Sequence, residues 1–213
     1  MTSMGKKLMN RLFYGYLKFL EKTVRIQWEQ PEQFRGHHVV GFWHEDSFAM
    51  NLVLAKVTGA GGHMSVLVTG DSRGDHIEYL IQRCKGKAIR MGYGFCDMGT
   101  LRDILNELKD ADKSVAIAMD GPLGPRHIPK KMTYFLSEKS KTPLLGVTLQ
   151  YSHKISLKGR WDHYRIPLPF SKLIIRMDDY GIVSPKQIPQ MRVYKEEQTC
   201  SIISEDVRFT KAI

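Results

Sequence analysis

Short apolar segments that each end in a polar residue alternate along this chain with segments of helical periodicity. The clearest is Val115–Asp120, an apolar run that ends in a carboxylate and is followed by the turn Gly-Pro-Leu-Gly-Pro. The segment Val39–His44 is built in the same way and ends in a histidine. This alternation predicts a single α/β domain with a mainly parallel central sheet flanked by helices.

Periodicity and turn signals give the approximate bounds of the predicted elements. Strands are predicted at 39–43, 64–69, 87–91, 114–119, 144–149, 154–157 and 173–177. Helices are predicted around 77–84, 98–108, 130–141 and 195–206, the second of them with Asp97 as its N-cap.

The carboxyl ends of strands in an open α/β sheet are where such folds place their chemistry. His44 and Asp120 both follow the apolar part of a predicted strand, so a site at one edge of the sheet is expected there. The alternative is that these strands end in polar residues simply because they reach water.

The first 25 residues form a basic amphipathic pattern. On a helical projection five basic residues fall within an arc of about 60°, namely Lys7, Arg11, Lys18, Lys22 and Arg25. Nine apolar residues occupy the opposite arc of about 180°, namely Leu8, Met9, Leu12, Phe13, Tyr16, Leu17, Phe19, Leu20 and Val24. We therefore expect an amphipathic basic helix over residues 1–28, followed by the α/β domain over 29–213. Such a helix lies in the interface of an anionic membrane, or packs its apolar face on the core and leaves its lysines in water.

The composition limits the class of protein and its partners. Lys plus Arg number 32 against 22 for Asp plus Glu, a formal charge of +10, which attracts phosphates, acidic carrier proteins and anionic lipid surfaces. The three cysteines match neither a disulfide framework nor a zinc pattern, which favours a reducing compartment. No signal peptide and no membrane-spanning segment is predicted. The chain contains no aromatic-plus-basic recognition motif, so nucleic-acid binding is not expected.

His44 is the candidate general base, because an imidazole can take a proton near neutral pH. Asp71 or Asp75, in the loop after residue 69, would hold its ring in the right tautomer, and Arg73 would meet an anion. The alternatives are a packing or capping histidine and a loop that only caps the next helix.

Three further basic residues are candidates for binding an anionic group. Arg90 ends a short strand and is followed by glycines, a setting that suits a phosphate, although a surface salt bridge is the competing interpretation. Arg126 and Lys130 belong to a basic cluster after the Asp-Gly-Pro turn, which could hold a phosphorylated substrate or be a solvated face.

Several motif-based alternatives are excluded. The chain has no P-loop, no dinucleotide fingerprint, no G-x-S-x-G elbow and no H-E-x-x-H pair.

Taken together, a series of segments resembles one family, an uncharacterised bacterial branch of the lysophospholipid acyltransferase-like superfamily. The resemblance covers roughly residues 8–190 in the expected order. Its segments are Phe42-Trp43-His44, 71–75, Ile89-Arg90-Met91-Gly92, Asp120–Pro125, Pro143–Val147 and Arg160–Ser171.

The resemblance implies a glycerolipid acyltransferase-like fold and assigns roles to particular residues. His44 would be the histidine of an H-x-x-x-x-D motif and the general base. Arg90 would bind the phosphate of the acceptor, and the turn Asp120-Gly121-Pro122 would also bind the acceptor. The implied activity is transfer of a fatty acyl group from acyl-carrier protein or acyl-CoA to a hydroxyl of a lysophospholipid or related lipid. No metal and no bound cofactor is expected.

The chain departs from the family pattern at two positions. The aspartate of the motif would stand at position 49, which is Ala49, and Leu123 stands where an arginine commonly follows the Asp-Gly-Pro turn.

Taken with the resemblance, the sequence predicts an O-acyltransferase that is cytoplasmic and peripheral on the inner face of the cell membrane. The alternative is a catalytically weak or inactive lipid-binding protein on the same fold.

Overall fold

The structure is a computed structural model that describes residues 3–34, 36–92 and 97–194. The described part forms a single α/β domain with a mostly parallel sheet flanked by helices. Its strands are β1 Arg25–Glu29, β2 Val39–Phe42, β3 His63–Thr69, β4 Lys87–Met91, β5 Lys113–Ala118, β6 Leu144–Tyr151, β7 Lys154–Ser156, β8 Arg165–Pro167 and β9 Lys172–Asp179. Its α-helices are α1 Ser3–Thr23, α2 Ser47–Gly59, α3 Ser72–Arg83, α4 Met98–Glu107 and α5 Lys131–Ser140, and two 3-10 helices cover Pro31–Phe34 and His44–Asp46.

Seven strands form the main sheet, in the order β1-β9-β6-β2-β5-β3-β4. Strands β6, β2, β5, β3 and β4 run parallel to one another, whereas β9 is antiparallel to β6 and β1 is parallel to β9. Strands β7 and β8 form a separate hairpin. The predicted mainly parallel sheet is confirmed, and β2 and β5 lie side by side at its centre.

Helices cover both faces of the sheet, which is why its central strands are apolar on both sides. One core packs α1, α2 and α3 against residues such as Val40, Phe42 and Leu149. The other packs α4 and α5 against residues such as Val39 and Val115. All four residues of β2 are buried, so its side chains cannot serve as ligands, and chemistry is left to its carboxyl end.

Helix α1 ends at Thr23, and residues 25–29 form the edge strand β1. The predicted helical segment 1–28 is therefore too long, because the chain turns into the sheet at Arg25. The structure also divides the apolar side of the helix. Leu17, Leu20 and Val24 are buried in the core, whereas other apolar residues are exposed, namely Met4, Leu8, Met9, Leu12, Phe13 and Phe19.

The predicted strands are present, with ends that differ by a few residues. Helix α3 begins at Ser72, earlier than its apolar spacing indicated, so the loop that carries the predicted acids is shorter than expected. Asp97 caps α4 as predicted, because its side chain accepts a hydrogen bond from the Thr100 N–H. The predicted helix at 195–206 lies outside the described residues.

Candidate active site

His44 and Asp120 lie next to each other at the carboxyl edge of the sheet. Strands β2 and β5 pair Phe42 with Ala118, so the residues two positions further along are level with each other. The backbone N–H of His44 donates to Asp120 Oδ1 at 3.0 Å. The predicted meeting of the two polar strand ends is therefore confirmed.

Asp120 is fully buried and binds backbone groups with both carboxylate oxygens. Besides the His44 N–H on Oδ1, the His127 N–H donates to Oδ2 at 3.2 Å. Burial raises the pKa of Asp120, and the two amide donors oppose that rise. A carboxylate so enclosed shapes the loop around it, and the predicted contact of Asp120 with an acceptor stays a prediction.

Residues 121–129 form a closed loop between β5 and α5. Gly121 has φ +68°, a left-handed conformation that glycine adopts without steric cost. The Lys130 N–H donates to the Met119 carbonyl at 2.7 Å and closes the loop. Lys130 is exposed at the start of α5 and Pro122 is half-buried, and their role in substrate binding stays a prediction.

The ring of His44 is half-buried and lies against Trp161, with ring centroids 5.4 Å apart. Its Nδ1 atom is buried. Trp161 comes from the loop between β7 and β8, a segment far along the chain. That segment carries part of the sequence resemblance, but neither spacing nor the resemblance assigns a site role to Trp161 or its neighbours.

Asp162, beside Trp161, is the second buried carboxylate near His44. Burial by itself raises its pKa, but hydrogen bonds from Arg160 and the positive charges of Arg160 and protonated His44 bring the pKa below its usual value. Protonated His44 also acts on Asp120 in the same direction. Among the described residues, Asp120 and Asp162 thus each interact electrostatically with the imidazolium of His44.

Gly124 allows the 121–129 loop to pack on Trp161. A Cβ atom at this position would lie 2.6 Å from Cε3 of the indole, and the residue has φ +70°. Only glycine fits both the close approach and the backbone conformation. The 121–129 loop and the loop that carries Trp161 are therefore packed together beside His44.

Glu45 connects the loops around the site. It is buried, and its carboxylate accepts hydrogen bonds from Arg126 Nε at 2.8 Å and pairs with His127 Nε2 at 3.0 Å and with Arg165 Nη1 at 2.8 Å. Burial would raise its pKa, but His127 and the two arginines lower it. Arg126, which the sequence predicted to bind an anion, is held here with 27% of its side chain exposed.

Asp46 has the opposite electrostatic setting, although it is the next residue. It is fully buried, accepts a hydrogen bond from the Tyr151 hydroxyl at 2.8 Å and lies 3.7 Å from Arg165 Nη1. Burial raises its pKa to about 7. Ala49, where the family motif has aspartate, is buried in α2 and supplies no acid.

Asp71, Asp75 and Arg90 form a second cluster at the same edge of the sheet. Asp71 accepts hydrogen bonds from the Thr69 hydroxyl at 2.9 Å and the Gly74 N–H at 3.2 Å, the pattern of a capping loop. Arg90 pairs with Asp75 at 2.5 Å and Glu78 at 2.8 Å. The backbone of Arg73 lies in α3.

This second cluster is separated from His44 by other strands. Strand β5 lies between β2 and β3, and β4 lies beyond β3. With adjacent strands about 4.8 Å apart, the ends of β2 and β4 are separated by about 14 Å. The structure brings Asp71 and Asp75 to Arg90, while Asp120 and Asp162 are the carboxylates beside His44.

In the described ranges 3–34, 36–92 and 97–194, no group of three or more His, Cys, Asp or Glu side chains could hold a metal ion. Within the same residues, no helix is both long enough and apolar enough to cross a membrane. Compared with known proteins, the chain matches no family model, no curated protein and no solved structure.

Proposed function

We propose that this protein is an acyltransferase that uses His44 as the general base to transfer an acyl group from a thioester to a hydroxyl. The observation that carries the proposal is the setting of the imidazole. It is half-buried at the carboxyl edge of the sheet, lies against Trp161 and interacts electrostatically with buried Asp120 and Asp162. The sequence resemblance and the α/β architecture support an acyltransferase-like fold.

The chemistry requires one proton shuttle. His44 takes the proton of the acceptor hydroxyl as its oxygen attacks the thioester carbonyl, and a tetrahedral oxyanion forms. The intermediate then expels the thiolate, which takes the proton back from His44. The products are an ester and a free thiol. Because thioesters are activated acyl donors, the protein mainly needs to supply the base, orientation and charge stabilisation.

Nearby acids would keep the imidazole ready for this role. A protonated ring gains from the charges of Asp120 and Asp162, which stabilise the imidazolium that forms during attack. Two acids from separate loops would thus replace the aspartate that is missing at Ala49. Asp71 and Asp75, bound in the Arg90 cluster, are less well placed for this role.

An anionic head group of the acceptor would bind at the cationic rim of the site. Arg126 is partly exposed and is oriented by Glu45, and Lys130 is exposed at the end of the same loop. A guanidinium held in this way suits a phosphate or carboxylate. The proposed donors are acyl-carrier protein and acyl-CoA, and the proposed acceptor is a lysophospholipid or a related lipid.

The outward side of α1 supports a peripheral location on an anionic membrane. Leu8 and Leu12 are 59% and 62% exposed, and the Phe19 ring meets the ring of Phe170, itself 81% exposed, at 6.2 Å. Beside this apolar surface runs an exposed basic stripe of Lys7, Arg11, Lys18 and Lys22. Apolar and cationic side chains in this arrangement suit the interface of an anionic bilayer.

The test of catalysis is acyl transfer from acyl-carrier protein or acyl-CoA to lysophosphatidic acid, followed by product formation and thiol release. His44→Ala should lower the rate by about 10²- to 10⁴-fold, the usual contribution of a positioned base. His63→Ala, an exposed histidine at the start of β3, is the matched control and should retain full activity. Equal rates for wild type and His44→Ala would exclude His44 as the base.

A second candidate is a lipid-binding protein on the same fold that has no turnover. The observation that favours it is the replacement of the motif aspartate by buried Ala49, together with the occupation of both Asp120 oxygens by backbone amides. This candidate predicts that wild type binds lysophosphatidic acid but releases no thiol from either donor. A His44-dependent release of thiol would exclude it.

Membrane binding is tested separately by flotation with vesicles that contain an anionic phospholipid. The double variant Leu8→Asp/Leu12→Asp should lose binding while the fold is kept, because both side chains point outward. Ile182→Asp, at another exposed apolar position, is the control and should still float. Deletion of α1 is a poorer test, because Leu17 and Leu20 belong to the core.

A further inference from the structure

Arg160 is an oriented cation beside the candidate active site. Its Nε and Nη2 atoms donate to the two oxygens of Asp162 at 2.9 and 2.7 Å, and its guanidinium lies 4.7 Å from the centre of the Tyr164 ring. Asp162 is fully buried and accepts a hydrogen bond from the Tyr164 N–H at 3.2 Å, so the carboxylate itself is held in place. Nevertheless, 48% of the Arg160 side chain is exposed.

Arg160 is linked to His44 through its two neighbours in the loop, Trp161 and Asp162. It directly precedes Trp161, whose ring lies against the imidazole, and it is bound to Asp162, whose carboxylate interacts electrostatically with His44. Arg160 thus adjoins in sequence the residue that contacts His44, and it holds a carboxylate that interacts with His44.

Arg126 contacts the same loop. Its Nη1 atom lies 3.0 Å from Nδ1 of His163, and the His163 N–H donates to the Arg160 carbonyl at 3.1 Å. Glu45 fixes Arg126 as Asp162 fixes Arg160. One partly exposed guanidinium group, that of Arg160, thus belongs to the loop that carries Trp161, and a second, that of Arg126, contacts this loop. Each is oriented by a buried carboxylate.

Within the described residues, Nη1 of Arg160 donates to no protein acceptor. The Nη1 edge of the guanidinium is therefore available to a ligand. Charge-assisted hydrogen bonds from an oriented guanidinium favour oxyanions, and a phosphate group can accept from two arginines at once. Because the arginine is oriented before a ligand arrives, little side-chain entropy is lost on binding.

We infer that Arg160 is a specificity-determining residue that, with Arg126, binds a phosphate group of the substrate next to His44. The inference deepens the proposed function and rests on it only for the name of the reaction. It predicts poor use of an acceptor that lacks the phosphate, such as a monoacylglycerol.

Binding of glycerol 3-phosphate, measured by calorimetry, tests the inference without any turnover. Arg160→Ala and Arg160→Lys should each weaken binding by about 10- to 100-fold, since both lose the fork and a hydrogen bond to a charged group contributes about 1.5–3 kcal/mol. Arg176→Ala is the control, because Arg176 is also partly exposed and paired with a carboxylate, that of Glu29 on β1. It should bind as wild type does. Thermal unfolding of each variant verifies the fold, and Arg160→Lys keeps a cation beside Asp162.

The kinetic arm uses lysophosphatidic acid and monoacylglycerol as acceptors. Arg160→Lys should raise KM for lysophosphatidic acid by a larger factor than it changes the rate with monoacylglycerol, whereas the control Arg176→Ala should leave both at the wild-type values. Unchanged binding of glycerol 3-phosphate in both folded Arg160 variants would overturn the inference, even if His44-dependent transfer is observed. Loss of binding in a protein that transfers no acyl group would support the phosphate site and refute the proposed reaction.

Discussion

Two polar clusters occupy the carboxyl edge of the same sheet, but they differ in burial and in their connections. The His44 cluster consists of His44, Glu45, Asp120, Arg126, Trp161 and Asp162 and lies over the central strands β2 and β5. The Arg90 cluster consists of Thr69, Asp71, Asp75, Glu78 and Arg90 and lies over β3 and β4, at the end of the sheet.

In the Arg90 cluster, the arginine donates hydrogen bonds to residues of β3 and of the segment that follows it. It donates to the carbonyls of Thr69 and Asp71 and to two partly exposed carboxylates. In the His44 cluster, buried acids hold partly exposed cations, and three separate segments of the chain take part. In this sheet, the strand ends at the centre contact residues from distant loops, whereas the strand ends of β3 and β4 contact residues of the adjacent helix α3.

Replacement of Glu45 should have the largest effect on stability. Glu45→Ala leaves Arg165 buried without its closest carboxylate and releases Arg126 and His127, and loss of one member of a buried ion pair costs about 3–5 kcal/mol. Denaturant unfolding measures the free energy. Glu45→Gln keeps an acceptor oxygen and should lose less. A loss for Glu45→Ala no larger than that for Arg90→Ala would contradict the distinction between the clusters.

Gly124→Ala should have the next largest effect, because its Cβ would collide with the Trp161 ring in a left-handed backbone conformation. Overpacking of this kind costs about 1–3 kcal/mol. Gly159→Ala is the matched control in the loop that carries Trp161, since its Cβ would meet no atom within 4 Å. Thermal unfolding checks stability, and acyl transfer checks whether displacement of Trp161 disturbs His44. Equal melting temperatures for the two variants would show that Gly124 and Trp161 are not packed together.

The pH dependence of stability should reveal Asp46. Its pKa is about 7 in the folded state, raised by burial from 3.8, so the folded protein retains a proton that the unfolded chain releases. Stability contributed by this group is therefore present below about pH 4 and is lost as the pH rises towards about 7.

Asp46→Asn should remove this dependence. Its melting temperature relative to wild type should rise between pH 5 and pH 8, because only wild type must ionise a buried carboxyl over that range. Other groups titrate in both proteins and affect both melting temperatures alike, so their contribution cancels in the difference between the two. A constant difference across the range would show that Asp46 is already ionised at pH 5.

Arg90→Ala should have the smallest effect on stability, because partly exposed ion pairs contribute little. If Arg90 serves only its own cluster, KM for lysophosphatidic acid should stay at the wild-type value. A large rise in KM without unfolding would instead restore the sequence-based prediction that Arg90 binds the phosphate of the acceptor.

The main features of the fold were predictable because they depend on local pattern. Continuous apolar runs such as Val115–Ala118 indicate strands that are buried on both faces, and Asp97 is recognisable as a helix cap. The neighbouring positions of His44 and Asp120 followed from strand ends at one edge. The end of α1 was missed, because Arg25–Glu29 carries a mixed pattern that becomes a strand only through pairing with β9.

The sequence by itself determined the α/β architecture, the basic character of the chain and the presence of a histidine and a carboxylate at one sheet edge. Local spacing encodes these properties through backbone preference and hydrophobic periodicity. The tertiary structure alone decided which acids serve His44, which cations Glu45 and Asp162 orient, and which apolar residues of α1 stay exposed. Those relationships join segments that are far apart in the chain, and they depend on strand order and loop packing, which spacing along a sequence does not contain.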